Sequence, residues 1–162
     1  MKYVINCVVM FLFTASLVAA QPAEMKEASV TMSGKVIKIQ YSALPSKGQL
    51  AGKPAFFHTD SNLEVQGLAV PKGDYTLFVE PDANEWQLVF SKQPKAQAAA
   101  LNPKMVLGRV PMDMKKNAAP AEALKVTLTS FGKVAGKLEV AWGNTIASVP
   151  FSLDILKPAP EW

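Results

Sequence analysis

The chain reads as all-β, a single-domain antiparallel β-sandwich of about eight or nine strands, and three observations predict this. Apolar residues recur at a period of two almost everywhere after Ala28, while helical spacing is nearly absent. Turn residues interrupt those runs at short, regular intervals. The region also contains no cysteine, since Cys7 is the only one in the chain. A fold without disulfides must rest on one hydrophobic core, and about 140 residues suffice, burying roughly 68–70% of the unfolded chain's surface.

Each element follows from its own residues. Val30 and Met32 alternate, Ser33-Gly34-Lys35 turns, and Ile37, Ile39 and Tyr41 alternate again. Tyr75, Leu77 and Val79 line one face of the next strand, and Trp86, Leu88 and Phe90 one face of its partner. Between them Asp82-Ala83-Asn84-Glu85 is turn chemistry, because Asp and Asn bond their own backbone and tolerate left-handed geometry. Val106, Gly108, Val110, Met112 and Met114 form a further face, followed by Leu124, Val126 and Leu128, then Leu138, Val140 and Trp142. Gly143-Asn144 has the form of a two-residue hairpin loop with glycine first. The last strand carries Ala147, Val149, Phe151, Leu153 and Ile155. Pro111 and Pro150 cannot donate to a ladder, which predicts an edge or a bulge at each. Ala96 to Leu101 is expected to make one or two helical turns. Tyr75, Trp86 and Trp142 fall in phase with their strands' aliphatics, which predicts core rather than a stacking platform.

The first twenty residues read as a cleaved signal peptide. Lys2 gives a positive start, Val8 to Val18 is apolar, and Val18-Ala19-Ala20 supplies small residues before cleavage at Gln21. Residues 21–27 then form a short leader, 28–156 the sandwich domain, and 157–162 a flexible tail. The expected location is periplasmic or secreted, with no membrane span after cleavage. Cys7 leaves with the signal, so the mature chain has no thiol, disulfide or thiolate metal site. Sixteen Lys and one Arg stand against thirteen acids, and the Lys are scattered. Nucleic-acid binding would cluster them on one face, so no nucleic acid is expected, only a soluble surface.

The ordered set of motifs resembles a bacterial exported family catalogued as domain of unknown function 2911. Val70-Pro-Lys-Gly-Asp-Tyr-Thr-Leu-Phe78 followed by Glu85-Trp-Gln-Leu88 is similar to the family's Pro-x-Gly-x-Tyr-x-Leu hairpin and Trp strand. Tyr41-Ser-Ala-Leu-Pro-Ser-Lys-Gly48, Leu107-Gly-Arg-Val-Pro-Met112, Leu138-Glu-Val-Ala-Trp142, Asn144-Thr145 and Val149-Pro-Phe151 match further stretches in order. The resemblance implies an exported β-rich domain and no established activity. It departs at Gly52-Lys-Pro-Ala-Phe-Phe-His-Thr-Asp60, where the family usually has a Trp-Arg-x-Gly-Ala-Asn block. A site built on that block in relatives would be missing here.

The catalytic inventory is thin. His58 is the only histidine, which excludes two-histidine relays and His-paired metal sites. No serine lies in a Gly-x-Ser-x-Gly context. His58 and Asp60 share a strand face, a candidate acid–base pair or weak metal foothold. Arg109, the one arginine, offers a planar fork that lysine lacks, so a bidentate partner is expected, with Glu80, Asp113 or Glu139 as mates. Met112 and Met114 offer thioethers for copper, or core packing. The reading is therefore a non-catalytic binding or envelope structural module needing no cofactor or resident metal. It would present Phe56–Asp60 and the Asp82–Glu85 turn to a protein or glycan of the cell envelope. Phe57, His58, Asp60 and Arg109 are the candidate binding residues. The alternatives are an enzyme centred on His58, Asp60 and Arg109, and copper binding through Met112 and Met114.

Overall fold

A computed structural model describes residues 24–154. The expected signal peptide, Cys7 and the tail from 157 lie outside the described residues. Nine strands follow in order: β1 (Met25–Met32), β2 (Lys35–Ser42), β3 (Ala55–Thr59), β4 (Leu63–Val65), β5 (Leu68–Val70), β6 (Gly73–Glu80), β7 (Trp86–Ser91), β8 (Val106–Phe131) and β9 (Ala135–Leu153). All pairings are antiparallel, in the order β1-β2-β3-β6-β7-β8-β9-β4-β5, and the sheet does not close.

Two long strands turn this ribbon into a sandwich. β8 pairs with β7 as far as Met112 and with β9 from Asp113 onward, so one strand belongs to both layers. The first layer holds β1, β2, β3, β6, β7 and the start of β8; the second holds the rest of β8, β9, β4 and β5. Ile37, Ile39, Leu77, Leu88 and Phe90 of the first layer share one core with Val126, Leu138, Val140, Val149 and Phe151 of the second. Tyr75 and Trp86 are buried in that core and Trp142 packs against it, as the strand phase predicted.

Local chemistry explains the tight turns. Met32 pairs with Lys35 across Ser33-Gly34, and Val65 with Leu68 across Gln66-Gly67. All four turn residues have positive φ, the conformation whose twist matches two-residue hairpins. Gly143-Asn144, expected to reverse the chain, does not. Gly143 sits inside β9 with φ +55°, opposite a bulge where nine residue steps from Lys116 to Lys125 face four from Thr145 to Ala141. Glycine marks a bulge as readily as a turn. The surplus length of β8 reaches the loop after β2, where Leu124 donates to the Leu44 carbonyl (2.7 Å) and Ser46 to that of Glu122 (2.8 Å).

Both prolines sit where one side of their strand has no ladder partner. The Pro111 carbonyl accepts from the Gln66 amide rather than from a strand, and Pro150 lies beyond Ser148, the last β9 residue paired to β8. β1 begins at Met25, three residues before the expected domain start, extended by its ladder to β2. The expected helical turns reduce to single 3-10 turns at Lys95–Gln97 and Pro103–Met105.

Candidate functional site

The outer face of the first layer carries the candidate site. Alternation on β3 sends Phe57 and Thr59 into the core and Phe56 and His58 outward. Register then aligns Lys38, His58 and Asp74 across β2, β3 and β6, and sets Phe56 beside Thr76. His58 Nδ1 lies 2.7 Å from Asp74 Oδ1, and Nε2 lies 2.9 Å from Asp60 Oδ1. Two carboxylates, one on each ring nitrogen, can both be satisfied only by the imidazolium, in which both nitrogens donate. Hydrogen bonds to Asp60 and Asp74 raise the His58 pKa above 6.5, against a smaller opposing effect of burial. The hydrogen bond from His58, and one from the Val36 amide to Asp60 Oδ2 (3.0 Å), hold the Asp60 carboxyl below its usual range.

The loop after β7 builds the other wall. Thr76 and Ser91 face outward beside the cross-strand pair Phe78 and Val89, and all four are fully buried. Thr76 Oγ1 donates to the Gln93 carbonyl (2.9 Å) and Ser91 Oγ to Gln93 Oε1 (3.0 Å), which lays the loop over this face. Gln93 also accepts from the Asn102 amide (2.9 Å) and donates to the carbonyls of Gln97 (2.9 Å) and Ala100 (2.8 Å). Its side chain organises residues 93–102 much as a capping residue organises a helix end.

Between loop and strands runs an open groove of about 510 Å³, lined among others by Lys38, Phe56, His58, Asp74, Lys92 and Lys95. Lys95 Nζ stands 4.5 Å over the Phe56 ring, a cation–π contact. Three lysines, Lys38, Lys92 and Lys95, stand on the lining, while His58 is matched by the carboxylates of Asp60 and Asp74.

The structure joins His58 and Asp60, as their spacing predicted, and separates the other candidates from them. Phe57 is buried, edge-on to Phe90 at 5.8 Å; Phe56 is the outward ring. Arg109 lies opposite Val89, two strands and four residues from Asp74, roughly 16 Å by strand geometry. Its Nε meets Glu80 Oε2 at 3.3 Å, a single contact rather than the expected bidentate pair. The Asp82–Glu85 turn follows the far end of β6, roughly 25 Å from Asp74, so it and Phe56–Asp60 are not one surface. Met112 is buried in the core and Met114 packs against it. Among the described residues no group of three His, Asp or Glu is arranged to hold a metal ion.

Asp74, Lys38, Lys95 and Gln93 were not singled out from the sequence, and Phe56 entered only as the start of the Phe56–Asp60 segment, with Phe57 nominated in its place. Phe56 was legible, since it shares the parity of His58 and Phe57 does not. The others depend on register and on the path of a loop.

Fold and site together define an all-β antiparallel sandwich with an open, basic groove on one outer face. Residues 23–151 match the model of a family described as "Protein of unknown function (DUF2911)", and the chain belongs to that family. No curated protein and no solved structure matches it. Among the described residues no helix is long and apolar enough to cross a membrane.

Proposed function

We propose that this is an exported, non-catalytic binding module whose groove takes an anionic saccharide of the cell envelope. The observation that carries the reading is the double clamp on His58. With a carboxylate on each ring nitrogen, the imidazole has no lone pair to take a substrate proton; its charge is matched within the triad, and the groove's positive character comes from Lys38, Lys92 and Lys95. The lysines of the lining favour an anion, and the half-buried Phe56, with Lys95 Nζ 4.5 Å over its ring, sets an apolar surface beside a cation, a pairing suited to an acidic sugar. Periplasmic or secreted placement rests on the apolar leader and its small-residue exit. Catalysis by His58, Asp60 and Arg109 is less well supported, because Arg109 stands apart and engages Glu80.

Thermal unfolding of residues 21–162 against acidic and neutral saccharides tests the reading. A ligand at a hundred times its dissociation constant adds about 2.7 kcal/mol, roughly 5–10 °C for a domain of this size. The expected result is a salt-sensitive shift with acidic saccharides that is lost in Lys38→Glu/Lys95→Glu. A flat response across both classes, or a neutral sugar binding as well as an acidic one, refutes it. Loss of a measurable turnover in His58→Ala would favour the enzyme instead.

A further inference from the structure

A second cavity, sharing only Phe56 with the groove, lies between the two layers. It holds about 110 Å³ and is lined by Ile39, Leu77, Val79 and Leu88 from one layer and Val126 and Val140 from the other. Protein interiors leave few voids larger than a water molecule. One lined by aliphatic side chains stays dry, and an engineered cavity of roughly 150 Å³ takes up benzene. The space here is of that order, enough for one small ring or a few methylenes.

The cavity opens at one end, where the loop of residues 43–54 replaces strand ladder as its wall. Leu44, Leu50 and Pro54 complete the apolar lining there, and the polar side chains on the rim are Ser42 and Lys53. Ser42 Oγ is engaged with Met25 Sδ at 3.2 Å. Lys53 is exposed and makes no ion pair with a carboxylate among the described residues. A dry apolar pocket with one cation at its mouth matches an apolar tail carrying a single negative head.

We infer that this interlayer cavity binds the alkyl end of an anionic amphiphile, with Lys53 meeting its carboxylate at the rim. Apart from Phe56, which borders both spaces, the inference does not draw on the groove: it uses the opposite face of β2, β3 and β6 and a different cation.

Pentanoate and pentan-1-ol, titrated into residues 21–162, provide the test, by calorimetry and by methyl NMR. The expected result is saturable one-site binding of both, with shifts concentrated on the methyls of Leu77, Val79, Val126 and Val140. Lys53→Gln should weaken pentanoate about fivefold, the scale of an exposed ion pair, and leave pentan-1-ol unchanged. Ala55→Leu extends a side chain from the lining into the space and should weaken both tenfold or more. Absence of saturable binding overturns the inference, as do shifts on other methyls or a folded Ala55→Leu that binds like the parent. Equal losses of pentanoate and pentan-1-ol in Lys53→Gln overturn the role of Lys53. If Ala55→Leu does not fold, the methyl map of the unmodified protein decides.

Discussion

Gln93→Met keeps the length of the side chain and removes every polar contact it makes. Four hydrogen bonds disappear: those with Ser91 Oγ, the Asn102 amide, and the carbonyls of Gln97 and Ala100. A typical bond contributes about 0.5–1.5 kcal/mol net. Gln97, Ala100 and Asn102 are exposed and recover water, whereas Gln93 and Ser91 are fully buried. The buried bond to Ser91 therefore decides the loss, about 1–3 kcal/mol. At about 3 °C per kcal/mol for this size, Tm should fall roughly 3–9 °C. Urea denaturation measures the loss, and amide exchange at Asn102 localises it. The loop should open before the sheet does, so exchange at Asn102 should rise more than at Leu77 or Leu88. A loss below about 0.5 kcal/mol with Asn102 still protected would refute the view that this one side chain holds the groove wall.

Three further outcomes follow from the same geometry. His58 has a raised pKa, so its stabilising contribution is complete below its unfolded value of 6.5 and fades as pH rises through the folded value. Asp60 has a lowered pKa, so its contribution is present above 3.8 and fades as pH falls through its folded value. The stability gap between the parent and His58→Gln should therefore be widest between those limits. An NMR titration should place the His58 midpoint above 6.5 and lower it in Asp74→Asn; a parent midpoint at or below 6.5 counts against the double clamp. Gly136→Ala should cost about 1–3 kcal/mol, because a Cβ there would sit 2.6 Å from Phe151 Cζ and 2.9 Å from the Thr129 carbonyl; denaturation at parent strength would show that the hairpin shifts freely. Arg109→Ala should cost only about 0.2–1 kcal/mol, since both partners of its ion pair are exposed, and a larger loss would point to a role beyond that pair.

Strand identity was legible wherever one face met the core, because burial imposes the period of two directly on the sequence. Ile37-Ile39-Tyr41 and Trp86-Leu88-Phe90 show it plainly. The pattern fails on β6, where Tyr75 to Phe78 are buried on both faces, because a loop distant in register covers the outer one. Strand length was harder to read. Lys116 to Ala121 is polar and small, which reads as a break, yet β8 runs through it because its ends are held by two different neighbours. The short β4 and β5 offer too few residues for any period to emerge. At the site, His58 with Asp60 could be seen from their spacing along one strand. Asp74 is sixteen residues away in the chain and joins them only through the pairing of β3 with β6.

The sharing of β8 between the layers also constrains how the protein is made. A chain emerging from the ribosome N-terminus first offers β1, β2, β3, β6 and β7 as a half-sheet with its apolar face bare. β4 and β5 appear early in the chain but wait for Phe151 to Leu153 to pair with them. Nothing resembling a closed core can assemble until nearly the whole domain has been synthesised. Until then its apolar face and unpaired strand edges stay exposed, and a chain not yet locked into a closed core is one that can still be threaded through a narrow pore.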